Sequence, residues 1–541
     1  MVEGVGGHHR AAVATTLAAA LVPLLFVAIF FAWPVAHMVG LGFADGLGGF
    51  AEALSRPRTL RVVGFTLAQA SIATVACVTL GLPIAHVLYR LRFRGQRLLR
   101  ALVIVPFVLP TVVVGIAFRT LLRDTPFDGS FVAILMALVF FNVAVVVRTV
   151  GVSWQSLDPR QEEAARALGA SPARVFRTVT LRRLLPSVVS AASIVFLFCA
   201  TAFGVVLILG GAKYGTIETE IWVLTTEFLD LRAASVLSVT QLVVVIALLA
   251  IAARARGRTL GQRRASRPRA ITEADRPAIA LTLLTAAALM LPIATLVWRS
   301  LEVDGAPSLA NYLALGTTGG RNALVVTVWV ALGNSLLMAA GATLIAVAIG
   351  LVASVVLSRS PRSAQGRRAL EVFDATLMLP LGVSAVTVGF GFLVTLNSPP
   401  FDLRASPLLV AIAQALIAMP LVVRTILPVL RSVDGRMREA AAALGASPWR
   451  VLRTVDLAIA RRPILAATGF AFAVALGEFG ATSFLSRPDR PTLPVAIYRL
   501  IGQPGGENFG MALAASVVLA AVTVAVIAAV ERLHSNEVGA F

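Results

Sequence analysis

Apolar stretches long enough to cross a bilayer recur along this chain, with only short polar breaks between them. Six fall in the first half, at about Ala11–Ala36, Val62–Leu88, Ala101–Leu122, Phe131–Val150, Pro186–Leu209 and Ala233–Ala253. Six more follow, at about Ala278–Trp298, Val325–Leu357, Val372–Leu396, Leu408–Leu430, Ile464–Phe484 and Met511–Val530. A helix rises 1.5 Å per residue, so roughly 20 apolar residues span the hydrocarbon core. Only closed hydrogen bonding survives there, and runs of this length satisfy it as helices. The balance of 58% hydrophobic and 14% charged residues excludes a soluble protein of 541 residues. The first run is too long for a signal-peptide core, and no convincing cleavage site follows it, so it reads as a retained span.

The net charge of +20 would suggest nucleic acid in a soluble chain. Here the arginines sit in short loops, such as Arg90-Leu91-Arg92-Phe93-Arg94, and in the segment from Arg254 to Arg276. With a count of six plus six, every arginine-rich loop falls on one side, which is therefore the cytoplasmic side, with both termini. The expected partner is the lipid bilayer, with no nucleic acid. Pro106 and Pro110 in span three, and Pro380 in span nine, mark kinks or breaks, tolerated in a membrane only against protein or a cavity. Cys77 and Cys199 lie in apolar runs, and the five histidines are scattered, so no disulfide framework or metal site is expected.

The two halves repeat. Arg148-Thr149 matches Arg424-Thr425, Asp158 matches Asp434, Glu163 matches Glu439, Phe203-Gly204 matches Phe479-Gly480, and Thr216 matches Thr492, each pair 276 positions apart (158 to 434, for example). Six spans per half in one orientation make the repeat parallel, with a pseudo-two-fold axis along the membrane normal and a cavity between the halves. The expected fold class is an all-α polytopic membrane protein of about 12 transmembrane helices in two parallel six-helix repeats. Residues 1–253 form the first half, 254–277 a basic cytoplasmic linker, and 278–541 the second half.

The longest shared stretch is polar. It runs through Asp158-Pro159-Arg160-Gln161-Glu162-Glu163-Ala164-Ala165 to Gly169 and Ser171-Pro172. Its second copy runs from Asp434 through Glu439-Ala440-Ala441 to Gly445 and Ser447-Pro448. Asp158 and Asp434 are good helix N-caps, and Pro159 suits a first turn. Glu-Ala-Ala favours helix, and Gly169 and Gly445 fit a left-handed stop. Each copy therefore predicts two short helices meeting at a glycine elbow, in loops at about 157–185 and 433–462. Alanines keep one face low, so that another protein can approach.

Glu-Ala-Ala, three residues and then Gly, before the fifth span of a six-span half, resembles the EAA loop of type I ABC-importer permeases. Two copies at equivalent points of a duplicated membrane chain make the match specific, and it covers nearly the whole chain. One departure is that Arg182 and Ala458 stand where that family usually has a proline, so the helix exit is expected to differ in shape. The resemblance implies a permease subunit whose coupling loops dock on two copies of an ABC ATPase subunit, with Asp158, Glu163, Ala164, Ala165, Gly169, Asp434, Glu439, Ala440, Ala441 and Gly445 at the contact. An extracytoplasmic solute-binding protein would deliver the substrate, and the location would be the bacterial plasma (inner) membrane. The chain has no Gly-x-x-x-x-Gly-Lys-Ser/Thr loop, and its only lysine is Lys213, so no cofactor is expected on it. ATP and Mg belong on the partner, and the chain is not expected to be an enzyme.

The fused twelve-span architecture is shared by permeases for thiamine and for ferric iron. Gly210-Gly211 with Thr216-Ile217-Glu218-Thr219-Glu220-Ile221-Trp222, and Phe479-Gly480-Ala481 with Arg490-Pro491-Thr492-Leu493-Pro494 and Ile497-Tyr498, resemble the thiamine pattern. Thiamine or its phosphates is the expected substrate, with ferric iron the alternative. An ion-coupled secondary transporter is the rival from another class, but it would need charges inside several spans. Glu478 is placed within span eleven, where an ionisable group faces the interior or a wet cavity. It reads either as a cavity-lining anion or as a structural glutamate, the second being favoured. With Phe479, Gly480, Phe203 and Gly204 it marks the candidate translocation path. Glu218, Glu220 and Trp222 are expected near the outer surface, as binding-protein contacts or as interfacial anchors.

Overall fold

The computed structural model describes residues 18–211, 213–255, 268–359, 363–396, 402–403 and 406–535. The expected cytoplasmic N-terminus, residues 1–17, and residues 256–267 of the basic linker lie outside the described residues. Ten helices within them are long and apolar enough to cross a membrane, and two bent pairs bring the number to twelve. The first pair, Gln96–Val108 and Thr111–Leu122, bends by 104°. The second, Ala364–Gly382 and Ala385–Thr395, bends by 95°. The bends fall at Leu109-Pro110 and at Val383-Ser384, beside the prolines that mark them in the sequence, because proline withholds an N–H and crowds the preceding turn. Ser384 then restarts its helix by accepting the Thr387 N–H at 3.0 Å.

Each half is built on a three-helix core. In the first, span two (Pro57–Arg90) packs on span four (Phe131–Gln155) and span five. In the second, span eight (Val328–Leu357) packs on span ten (Leu408–Ser432) and span eleven. Lipid is as apolar as leucine, so helices associate in a bilayer by close approach rather than by leaving water. Span eight presents a stripe of small buried residues for this, with Ala331, Ser335, Ala339, Ala342, Ala346, Gly350 and Ala353 at helical spacing. Polar side chains inside the spans close on nearby backbone. Thr66 Oγ1 donates to the Val62 carbonyl at 2.8 Å, and Ser354 Oγ to the Gly350 carbonyl at 2.7 Å.

The first span of each half packs on its own half and reaches across to the other. Span one (Ala18–Gly42) lies along span six (Leu231–Ala255) and against the second limb of span nine, where Phe30 meets Phe392 with ring centroids 6.3 Å apart. Span seven (Glu273–Ser300) lies along span twelve (Gly506–Val530) and against spans two and three of the first half. The bridging obeys the same pseudo-symmetry as the sequence repeat.

Spans five and eleven differ from the sequence reading. They are continuous helices from the elbow onward, Pro172–Ala200 and Pro448–Leu476, so residues 172–185 and 448–462 are not loop. A π-helical turn in each, Phe176–Thr180 and Leu452–Asp456, absorbs one extra residue without breaking the run, and Pro186 and Pro463 sit inside the helix. At the far end both helices stop earlier than expected. A glutamine from a neighbouring span occupies a carbonyl of each last turn: Gln69 Nε2 donates to Cys199 O at 3.1 Å, and Gln414 Nε2 to Ala475 O at 2.9 Å. Short buried helices follow, Gly204–Gly210 and Ile217–Thr226 in the first half, and Thr482–Leu485 and Leu493–Gly502 in the second. Glu478 therefore lies in the break after span eleven and not within it.

Two glycines test this geometry. A β-carbon at Gly480 would lie 2.8 Å from Ala385 Cβ and 3.2 Å from the Val386 nitrogen, whereas one at Gly435, the exposed first residue of the second elbow helix, would meet nothing within 4 Å. Gly480→Val is expected to destabilise the purified chain by about 1–3 kcal/mol. Gly435→Pro, which copies Pro159, is expected to stabilise it by about 0.4–1 kcal/mol. Thermal unfolding in detergent reads both, and a Gly480→Val chain as stable as the parent would contradict the close approach.

Candidate coupling elbows and translocation path

The elbows form as their sequence dictates. Asp158 and Asp434 accept the N–H groups of Arg160 and Arg436, each at 3.0 Å, and so open the helices Pro159–Ala167 and Gly435–Ala443. Gly169 and Gly445 close them at φ of +79° and +84°, a conformation that a side chain strains. The N–H of Ala170 then reaches back to Ala165 O, and that of Ala446 to Ala441 O, the wider loop of a Schellman stop. Glu163, Ala164, Glu439 and Ala440 are exposed, while Ala165 and Ala441 are half-buried.

The sequence reading missed one pair. Leu168 and Leu444 are 88% and 90% exposed at the tips of the two elbows. Trp449 is 68% exposed beside the second. A leucine before the glycine in both copies was the available signal. Apolar knobs standing free at equivalent points are what a partner's pocket would receive.

The breaks after spans five and eleven bring the halves together at the axis. Phe203 and Phe479, equivalent in the repeat, stack at 5.3 Å between centroids with 23° between planes. Trp222 and Tyr498, also equivalent, meet edge to face at 5.8 Å, and Tyr498 lies 5.5 Å from Phe479. Four rings from two symmetry pairs thus close on one another. Gly204 permits the approach, since a β-carbon there would lie 2.7 Å from Thr111 Oγ1 and 3.2 Å from Phe479 Cδ1. Trp222 and Tyr498 complete the constellation, and only the 276-residue offset connects them in sequence.

The carboxylates near this closure are engaged. Glu478 accepts the N–H groups of Ala481 at 2.7 Å and Thr482 at 3.1 Å, which caps the short helix that follows. That geometry favours the structural reading. The expectation for Glu218, Glu220 and Trp222 needs correction. The segment that holds them folds back as the helix Ile217–Thr226, opened by a Thr216–Thr219 capping box, and packs on spans two, six and nine. Glu218 is wholly buried and accepts Ser384 Oγ from the other half at 2.8 Å and Gln241 Nε2 at 3.1 Å. Glu220 is buried and pairs with Arg58 at 2.6 Å, and Trp222 is half-buried against Tyr498. The two carboxylates offer a docking protein no surface. Arg487, Asp489 and Arg490, in the turn after Thr482–Leu485, are all more than half exposed. Among the described residues no group of three His, Cys, Asp or Glu is placed to hold a metal ion.

Two six-span bundles bridged by their first spans, two capped elbows and an axial closure define a transport permease. The family described as binding-protein-dependent transport system inner membrane component matches residues 77–266 and again residues 346–536, and the chain belongs to that family, the permeases of type I ABC importers. It is 28% identical over 534 residues to the thiamine transport system permease protein ThiP of Brucella abortus (strain 2308), with 93% of both chains covered. It is 28% identical to the protein of the same name from Escherichia coli (strain K12), covering 82% of this chain and 83% of that one. A sulfate transport system permease protein, CysT of Salmonella typhimurium, is 31% identical over 230 residues, 40% of this chain and 83% of its own.

The stacked pair predicts a coupling between two distant positions. Phe203→Ala and Phe479→Ala are each expected to destabilise the chain by about 3 kcal/mol. The double variant should lose less than the sum by about 1 kcal/mol, because the second substitution removes a ring whose partner is already gone. A double-mutant cycle by thermal unfolding measures this, and strict additivity would mean that the rings do not touch.

Proposed function

We propose that this chain forms the membrane pathway of an ATP-driven importer for thiamine or its phosphates. Its two elbows face the cytoplasm, and each docks on one of two copies of an ATPase subunit. ATP closes the ATPase pair and draws the elbows together, and the aromatic closure at the axis opens as the halves rotate. A binding protein delivers the solute at the opposite end, where Arg487, Asp489 and Arg490 are among the exposed charged residues. The observation that carries the substrate is the likeness to thiamine permeases along almost the full length of both chains. An aromatic closure also suits a planar organic cation, since ring faces attract cations.

Labelled-thiamine uptake tests the reading, in cells that cannot make thiamine and that carry this chain with its ATPase and binding protein. Thiamine uptake that stops when ATP is depleted is the expected result. Uptake of ferric iron in place of thiamine would overturn the substrate, and transport by the purified chain alone on an ion gradient would overturn the importer. Glu163→Arg with Glu439→Arg should abolish co-purification of the ATPase while the chain stays folded. Glu478→Gln keeps one side-chain oxygen for the two backbone N–H groups that Glu478 accepts and is expected to reduce uptake with ATPase docking retained; unchanged uptake kinetics would remove it from the path.

A further inference from the structure

Immediately before the glutamate that both elbows share, Glu163 and Glu439, the two halves carry opposite charges. Glu162 in the first half corresponds to Arg438 in the second, and Thr180 to Asp456, at the same 276-residue offset. The structure pairs them. In the first half Thr180 Oγ1 donates to Glu162 Oε1 at 2.9 Å, and Arg90 Nη2 donates to Glu162 Oε2 at 2.9 Å. In the second half Arg438 Nε donates to Asp456 Oδ1 at 2.7 Å, and Arg438 Nη2 to the Leu430 carbonyl at 3.0 Å. Thr180 and Asp456 are each the last residue of the π-helical turn at the root of the following span. The elbow helix is thus tied back to that turn at the same place in both halves, by bonds of reversed polarity. Both ties are sheltered, with the Asp456 side chain 4% exposed and that of Arg90 8%.

The elbow helices are short, and neither has a fully buried residue. Side-chain packing cannot hold them rigidly against the bundle, so a push on the tip would bend the elbow instead of moving the span. A sheltered charge-assisted bond at mid-helix resists that bending. The first tie goes further. Arg90 also accepts the Arg269 N–H on its carbonyl at 2.9 Å, and Arg269 grips Asp275 with two bonds of 2.7 Å at the start of span seven. The first elbow is therefore wired through Arg90 and Arg269 to the second half, and the second elbow is tied within its own half.

We propose that Glu162 and Arg438 are positioning residues that lock each elbow helix to the root of its following span, so that displacement of the elbow by the ATPase is delivered to the membrane rather than lost in bending. The consequence for transport rests on the importer reading; the locking itself does not.

The test uses the second half, where the tie is a single ion pair. Arg438→Glu sets two carboxylates against each other, and adding Asp456→Thr rebuilds the Glu–Thr tie of the first half. A spin label on Leu444→Cys in the whole chain reports elbow order, because Cys77 and Cys199 are fully buried and escape labelling. Arg438→Glu should raise label mobility and the double variant should return it to the parent value. In membranes with the ATPase and binding protein, Arg438→Glu should lower solute moved per ATP hydrolysed by about tenfold with the ATPase still bound, and Arg438→Glu/Asp456→Thr should recover most of it. Unchanged label mobility in Arg438→Glu, or a double variant as mobile as the single, overturns the lock. An ordered elbow whose loss leaves transport per ATP unaltered overturns its part in transmission. If the parent chain moves no solute with ATP while the label responds as expected, the importer reading fails and the lock stands.

Discussion

A backbone N–H or C=O left open in hydrocarbon costs several kcal/mol, and this limits where the chain can be anything but helix. The bends in spans three and nine and the breaks after spans five and eleven all lie against protein. They are gathered at the pseudo-two-fold axis, where each is supplied with partners: Ser384 caps one helix, Glu478 another, and Gln69 and Gln414 reach the final turns of spans five and eleven. Irregular backbone is affordable only there. That is also where the halves meet.

The two ends of spans five and eleven do different work. At one end the elbow, the π-helical turn and the helix form a continuous lever. At the other the helix stops, and an aromatic ring from each half meets its own counterpart. One helix therefore runs from beside an exposed leucine tip toward the axial closure, twice over. Bridging by the first spans holds the two levers in one body. Each arm packs on its own half and on the other, so the two halves share both arms.

Much of this was legible in the sequence because it rests on local rules. Asp158, Pro159 and Gly169 specify a capped helix and its stop whatever surrounds them. Pro106, Pro110 and Pro380 announce bends, and the period of the apolar runs gives the spans. The ends of spans five and eleven were misread because apolar residues continue past them: Phe203 to Gly210 is as hydrophobic as the span itself, and the glutamine amides that reach each last turn come from distant spans. Glu218 was misplaced for the related reason that a charge after a span reads as surface. Its burial depends on Ser384, 166 residues away in the other half. The reversed tie at Glu162 and Arg438 was open to inspection in the aligned repeat, yet opposite charges at one position look like divergence until their partners are known.

The bridging arms also impose an order on how the molecule is made. Span one enters the bilayer first, but His37 and Phe30 find Thr395 and Phe392 only after some 358 further residues have been synthesised. At about 5–20 residues per second, that contact across the halves waits roughly twenty seconds to a minute after the helix is made, and span six is its earlier neighbour. Its largely apolar flank suits a newborn segment that must rest in lipid before it becomes a clasp.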